Sequence, residues 1–419
     1  MSTKTKVGIL SLGCPRNIVD SEGITSRLYL KNFQIVDINQ AEIAIINTCA
    51  FLKEAVEESI DKILDLVELK KQGRLRKIIV SGCLPSRYKS QLIHSLPEID
   101  AFIGPQKLSE KNTPILRLTP KHYSYVKITE GCLNKCSFCI IPKLKGKFAS
   151  RSIESILEEI QSIDINGKKE IDIIGQDISQ YGLDLYKEYA LDRLLANICK
   201  KLKYIKWIRL LYLHPSHITD ELIRVVAGEK AICKYIDLPL QHINDVILKR
   251  MNRQISKRQI INLIENIRKE IPDVAIRTSF IIGFPGETDK QFKELLKFIE
   301  EMRFERLGVF LYSREEDTPA YHFKEQIPEK VKRRRFDELM GLQQSVASSL
   351  CRESLNTTCD VIIDEKCKDD PDTYLGRTSQ DAPEVDGVVY VKAKDLKIGD
   401  IVSVRITDSL EYDLIGEVV

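Results

Sequence analysis

The chain has 419 residues, 43% hydrophobic and 30% charged, with a formal net charge of +3. Those are the proportions of an ordinary soluble protein with room for two or three domains. No apolar stretch reaches the roughly eighteen residues that cross a bilayer, and the run after Met1–Lys6 is too short for a signal peptide's apolar region. A cytoplasmic protein without a membrane span is expected. In that reducing compartment the eleven cysteines read as ligands, catalysts or small buried hydrophobes rather than disulfides.

In residues 1–120, three strand-like runs each end at a cysteine: Val7–Gly13 at Cys14, Glu42–Asn47 at Cys49, and Lys77–Ser81 at Cys83. Between them, Ala55, Val56, Ile60, Ile63, Leu64 and Val67 recur at helical spacing within Lys53–Lys70. Continuous apolar strands alternating with helices predict a parallel sheet covered on both faces. Loops at the carboxyl ends of such strands share one edge, where ligands bind. Cys14, Cys49 and Cys83 are therefore expected to converge there as a three-cysteine cluster site; three unrelated buried cysteines are the plainer alternative. Gly13 and Pro15, and Gly82 and Pro85, suit tight turns that turn backbone N–H groups toward cluster sulfurs.

Over 121–351 the alternation resumes on a larger scale. Strands are predicted at Tyr125–Thr129, Ile171–Gly175, Trp207–Leu213, Tyr235–Leu240, Val274–Ile282 and Arg306–Tyr312. Helices are predicted at Ile153–Ile165, Leu191–Leu202, Lys257–Ile271 and Asp289–Met302. Six β/α units predict an open, partial (β/α)6 barrel, whose chemistry sits at the carboxyl ends of its strands. Just after the first strand comes Cys132-Leu-Asn-Lys-Cys136-Ser-Phe-Cys139. Three cysteines this close do not make a disulfide framework, and without a fourth they fall short of a closed zinc site. Three thiolates on one loop suit a cubane iron–sulfur cluster with one iron open to an exogenous ligand; a zinc knuckle completed by His122 is the competing reading.

Further strand-end residues point to the same mouth. Gln176 and Asp177, Gln241 and His242, Gly283 through Gly286 to Glu287, and Tyr312–Arg314 all follow predicted strands. Glycine turns let a backbone approach a nucleotide-like ligand, and amides and carboxylates take ribose hydroxyls, although each turn taken alone is more often ordinary. Arg277, a charge inside an apolar strand, reaches a carboxylate in the barrel or pairs with a neighbour. His214-Pro-Ser-His217 reads as a structural or exposed loop pair, and Lys330–Arg335 as the solvated face of a long helix.

Beyond Arg352 the pattern shortens to strands at Asp360–Asp364, Val388–Lys392, Ile401–Thr407 and Asp413–Val418, a small antiparallel β-barrel over 352–419. Residues 355–419 carry fifteen acidic and seven basic side chains, a net −8, which leaves about +11 for the rest. An acidic barrel favours a basic protein partner over nucleic acid. Cys199, Cys233, Cys351, Cys359 and Cys367 show no clustering and read as structural.

Together these motifs form a resemblance. Cys132-x3-Cys136-x-Phe-Cys139 in the first β/α loop resembles the radical S-adenosylmethionine (SAM) enzymes. An upstream three-cysteine domain and a terminal barrel of the TRAM type resemble the methylthiotransferases among them. The matching stretches are Ser11–Asn17 with Val19–Glu22, Asn47–Cys49, Cys139–Lys143, Tyr235–His242, Arg277–Gly286, and Gly376–Thr378 with Asp381–Gly387, almost the whole chain. The likeness is to the branch that methylthiolates an aspartate of small-subunit ribosomal protein twelve. Relatives that modify transfer RNA usually show Gly-Cys-Gln-Met-Asn where this chain has Gly13-Cys-Pro-Arg-Asn17. Leu133 departs from a common Asn, and Leu213-His214 from a more usual Tyr-Pro.

The resemblance implies two 4Fe–4S clusters, one on Cys132, Cys136 and Cys139 and an auxiliary one on Cys14, Cys49 and Cys83. It implies SAM held at the first, with Gln176, Arg277, Gly283 and Gly286 as candidate contacts, and a 5′-deoxyadenosyl radical acting on the aspartate Cβ. The auxiliary cluster would carry sulfur methylated by a second SAM, an electron donor such as flavodoxin or ferredoxin would serve, and the barrel would recruit the protein substrate. The alternatives are a methylthiotransferase acting on transfer-RNA adenosine and a non-catalytic iron–sulfur carrier.

Overall fold

The computed structural model describes residues 4–108 and 116–419; Met1–Thr3 of the opening stretch lie outside them. The first sheet is wholly parallel, in the order β2 (Gln34–Val36), β1 (Lys6–Ser11), β3 (Ile43–Thr48), β4 (Lys77–Gly82), β5 (Ala101–Ile103). The central strand β3 reads Ile-Ala-Ile-Ile-Asn-Thr and is buried at every position after the first, which is why its apolar run is continuous rather than alternating. Helices α1 (Pro15–Leu30), α2 (Lys53–Lys71) and α3 (Cys83–Ser95) connect the strands. In α2, Glu54 stands in the first turn and Lys70 and Lys71 in the last, the charge order that suits the helix dipole. Its Ile63 and Val67 pack with Ile46, Ile78 and Val80 of the sheet in one core.

The middle of the chain forms a second parallel sheet, ordered β13 (Arg306–Leu311), β12 (Ala275–Ile282), β11 (Ile232–Asp237), β10 (Trp207–Leu210), β9 (Glu170–Ile174), β6 (Tyr123–Lys127). The sheet does not close: β6 and β13 are its two edges. A short hairpin, β7 (Thr129–Glu130) with β8 (Ala149–Ser150), follows β6 and brackets α4 (Ile141–Lys145). The covering helices α5 (Ile153–Ile165), α6 (Leu191–Cys199), α7 (Asp220–Gly228), α8 (Asp245–Arg250), α9 (Lys257–Glu270) and α10 (Asp289–Met302) bury one apolar face on the strands. Their starts are set by local chemistry: Ser152 caps α5, and Ser256 with Gln259 and Thr288 with Gln291 form reciprocal boxes at α9 and α10.

Helix α11 (Glu329–Glu353) leads to a closed five-strand barrel, β14 (Thr358–Lys366), β15 (Thr373–Thr378), β16 (Val389–Lys392), β17 (Ile401–Ser409) and β18 (Leu414–Val418). The run expected to be a solvated face at the start of α11 is only half solvated. Lys332 is buried and donates to Tyr312 O at 2.7 Å, and Arg335 is buried against Glu287 at 2.7 Å. The C-terminal barrel sits against the amino-terminal ends of the central strands. Arg377 reaches Glu170 at 2.8 Å, Arg306 reaches Asp381 at 2.8 Å, Tyr123 reaches Glu384 at 2.9 Å, and His122 reaches Asp364 at 2.7 Å. Because the strands are parallel, their carboxyl ends all lie at the opposite end, clear of this plug.

A six-cysteine cavity as the candidate active site

Strands β1, β3 and β4 pair in register up to their ends, with Asn47 opposite both Ser11 and Ser81. The residues that follow therefore leave the sheet at one level. Cys14 caps α1, Cys49 follows β3 and Cys83 opens α3. Two glycines allow the approach. Gly13 has φ +86°, and a Cβ on it would lie 2.7 Å from Cys49 Cβ; Gly82 has φ +100°, and a Cβ there would lie 2.5 Å from Thr48 O. Asn17 Nδ2 ties the turns by donating to Leu12 O at 2.7 Å and Thr48 O at 3.2 Å.

The second trio leaves the carboxyl end of the central sheet after β7. Its loop is pinned by Ser137 N–H to Met251 O at 2.9 Å, Asn252 Nδ2 to Lys135 O at 2.7 Å, and Leu133 N–H to Gln180 Oε1 at 3.0 Å. Cys14, Cys49, Cys83, Cys132, Cys136 and Cys139 then line a single cavity of about 290 Å³ together with Arg16, Lys145, Gln176, Tyr212, His214, Gln241 and Arg253. The two trios belong to different sheets in sequence yet share this one space.

All six thiols are free. Burial pushes Cys83 up to about 11, Cys132 up to about 11 and Cys139 up to about 12. Burial also works on Cys14, but the charge and hydrogen bond of Arg16 outweigh it and hold that thiol below its ordinary value. Lys145 stays charged despite burial because Asp20 and Glu130 flank it, at 3.3 and 3.2 Å. Glu130 also accepts from Gln176 Nε2 at 2.8 Å, and Gln176 Oε1 is buried without a partner among the described residues. Two sets of three thiols, beside an orphaned amide oxygen in one cavity, fit groups that keep a coordination position open.

Other predicted residues lie elsewhere. Arg277 is committed to Asp237 at 3.0 Å and to Asp386 of the C-terminal barrel at 3.3 Å. Gly283 packs on the stem of Lys332 and Gly286 on the guanidinium of Arg250. Of the four candidate SAM contacts, only Gln176 lines the cavity. His122 serves Asp364 at the far end, so it completes no zinc site. None of the remaining five cysteines lines the cavity.

Arg16, Lys145, Tyr212 and Arg253 line the cavity with no signal in the sequence to mark them. Of the two readings of the His214–His217 pair, structural or exposed, His214 takes the first: it is buried and its ring stacks on His217 at 4.7 Å, while His217 Nδ1 bonds Asp177 at 3.1 Å. Tyr212 and Gln241 adopt φ +68° and +72°, a strained conformation for such side chains and one that clusters at functional sites.

Residues 6–104 match the uncharacterised protein family UPF0004, residues 126–299 the Radical SAM superfamily and residues 357–419 the TRAM domain. Over its full length the chain is 45% identical to the ribosomal protein uS12 methylthiotransferase RimO of Geobacter sulfurreducens, covering 100% of this chain and 99% of the relative. The chain belongs to the RimO family. The RimO of Caldanaerobacter subterraneus subsp. tengcongensis is 46% identical over 98% of this chain and 99% of its own. The protein is thus a radical SAM methylthiotransferase. In fold it is similar to the radical SAM methyltransferase TsrM from Kitasatospora setae, with TM-score 0.56, 13% identity, and 76% and 77% of the two chains covered. The cobalamin-dependent radical SAM enzyme OxsB is also similar, with TM-score 0.51, 14% identity, and 81% of this chain and 56% of OxsB covered.

Proposed function

We propose that the enzyme inserts a methylthio group at the Cβ of an aspartate in small-subunit ribosomal protein uS12. The observation that carries this reading is the convergence of two cysteine trios in one cavity, in a chain whose full-length relatives are named as uS12 methylthiotransferases. Cys132, Cys136 and Cys139 would hold one 4Fe–4S cluster with an iron open to SAM, and Cys14, Cys49 and Cys83 a second that carries sulfur. When bound, these groups with two SAM molecules supply a 5′-deoxyadenosyl radical, the sulfur and its methyl group.

The chain's own residues supply position and exclusion. Glu130 orients the Gln176 amide, leaving its oxygen to accept a hydroxyl from a nucleoside. The loop bonds to Met251, Asn252 and Gln180 fix the barrel trio on rigid elements, and Gly13 and Gly82 let the facing trio come close. With both trios in one space, a sulfur would travel no further than the cavity's width.

The substrate class rests on charge. The tail's net −8 suits a lysine- and arginine-rich protein and disfavours phosphates, which sets transfer RNA aside. A low-potential flavodoxin or ferredoxin is the proposed electron donor, and the cytoplasm the proposed compartment; no helix among the described residues is long and apolar enough to cross a membrane. The test is to incubate the reduced, cluster-loaded enzyme and SAM with uS12 and with transfer RNA, then analyse both by mass spectrometry. A methylthio adduct on a uS12 aspartate supports the reading; an adduct confined to transfer RNA overturns it.

A further inference from the structure

Most buried arginines of this protein face a carboxylate: Arg87 with Glu315 at 2.9 Å, Arg335 with Glu287 at 2.7 Å, Arg377 with Glu170 at 2.8 Å. The two that line the cysteine cavity are built differently. Arg16 Nε donates to Cys14 Sγ at 3.2 Å and its Nη1 to the Gly175 carbonyl at 3.1 Å, with the guanidinium 4.5 Å above the Tyr212 ring. Arg253 Nη1 points at Cys136 Sγ at 3.9 Å, and its Nη2 donates to the Pro239 carbonyl. Among the described residues neither has a carboxylate within ion-pairing distance. Each trio therefore has one arginine of its own, aimed at one of its sulfurs and anchored by a backbone carbonyl.

An enclosed guanidinium without a counter-anion is costly. The cost is removed if the anion is the thiolate-ligated cluster itself. We propose that Arg16 and Arg253 are paired counter-charges, each holding the iron–sulfur group of its own trio and raising that group's reduction potential; this rests on the two-cluster reading above. The physical reason is that reduction adds negative charge, so a fixed cation and a hydrogen bond to a ligand sulfur favour the reduced form. Arginine suits the place because its planar fork can serve sulfur and carbonyl at once while stacking on an aromatic face. The anchors give the pair a second property. Gly175 directly follows β9 of the central sheet, so Arg16 also ties the first sheet's sulfur site to the barrel mouth.

The test uses full-length, reconstituted protein with one trio left. In the Cys132→Ala, Cys136→Ala, Cys139→Ala background, iron content is measured and the midpoint potential is read by redox titration with electron paramagnetic resonance. Arg16→Gln is expected to shift the potential negative, Arg16→Lys to fall between, and Arg253→Gln to shift it less than Arg16→Gln. In the Cys14→Ala, Cys49→Ala, Cys83→Ala background the order reverses, with Arg253→Gln giving the larger shift. An unmoved potential, equal effects of the two arginines, or no difference between Gln and Lys overturns the inference. If Gln costs the iron and Lys restores it, the counter-charge role stands; if neither binds iron, the role is mechanical and the inference fails. A background that binds no iron before any arginine is changed sinks the two-cluster reading instead, and this inference with it.

Discussion

Replacing Arg377 by Met probes how the C-terminal barrel is held. The guanidinium is 3% exposed and donates to Glu170 at 2.8 and 3.3 Å, to Asp364 at 2.7 and 3.0 Å, and to the Asp381 carbonyl at 3.1 Å. Glu170 is fully buried and would keep only Arg209, which Asp172 already shares. Removing one partner of a buried ion pair costs about 3–5 kcal/mol, because the remaining charge is left desolvated. With burial this complete no solvent discount applies, and in a chain of 419 residues the loss should lower Tm by roughly 5 °C. Scanning calorimetry measures it, and a cycle with Glu170→Gln should show strong coupling. A shift within about 1 kcal/mol, the range of surface pairs, would refute the view that the barrel plugs the central sheet. The same contacts mean that cutting away residues 355–419 would uncover Glu170, Arg209 and Tyr235, so deletion is a poor test of substrate recruitment.

Charge reversal on the tail is cleaner. Asp369→Lys with Asp372→Lys, both exposed, should raise the KM for uS12, more at low salt than at high, with Tm near wild type; Asp370 is spared because it accepts from Thr373 Oγ1 at 2.7 Å in the turn. An unchanged KM would argue against electrostatic recruitment. Cys132→Ala, Cys136→Ala and Cys139→Ala together should leave about four irons per chain and no 5′-deoxyadenosine; complete loss of iron would refute separate ligand sets. Burial, with Arg253 and His217 nearby, holds His214 neutral well below its ordinary 6.5. The unfolded chain therefore binds the extra proton below that value, and stability should fall as pH drops through it. His214→Gln should flatten that decline in Tm, and an unaltered profile would contradict it.

The strand-end cysteines were legible because parallel topology turns sequence position into spatial level: once β1, β3 and β4 are parallel neighbours, Cys14, Cys49 and Cys83 must meet. What sequence did not give was that this edge faces the barrel mouth, since the placement of one sheet on another rests on contacts such as Arg16 to Gly175 and Arg87 to Glu315, between residues far apart in the chain. Strand β15 escaped notice because Gly376 interrupts its apolar pattern; the glycine is there because a Cβ would lie 2.5 Å from Ile362 O of the paired strand. Arg277 pairs with neighbouring carboxylates, one of the two readings a charge inside an apolar strand offered; it stands near the start of β12, beside Asp237 and where the C-terminal barrel supplies Asp386. Of the cavity residues without a sequence signal, Tyr212 and Arg253 are single residues in loops and Arg16 stands in the first turn of α1, with no periodicity to mark them.

The central claim is that the two trios share a cavity but divide the work. The most direct measurement follows both products in the full-length Cys14→Ala, Cys49→Ala, Cys83→Ala variant, reduced and supplied with SAM and uS12. The account predicts that 5′-deoxyadenosine still forms while methylthio-uS12 does not. Methylthio-uS12 formed by that variant would contradict it.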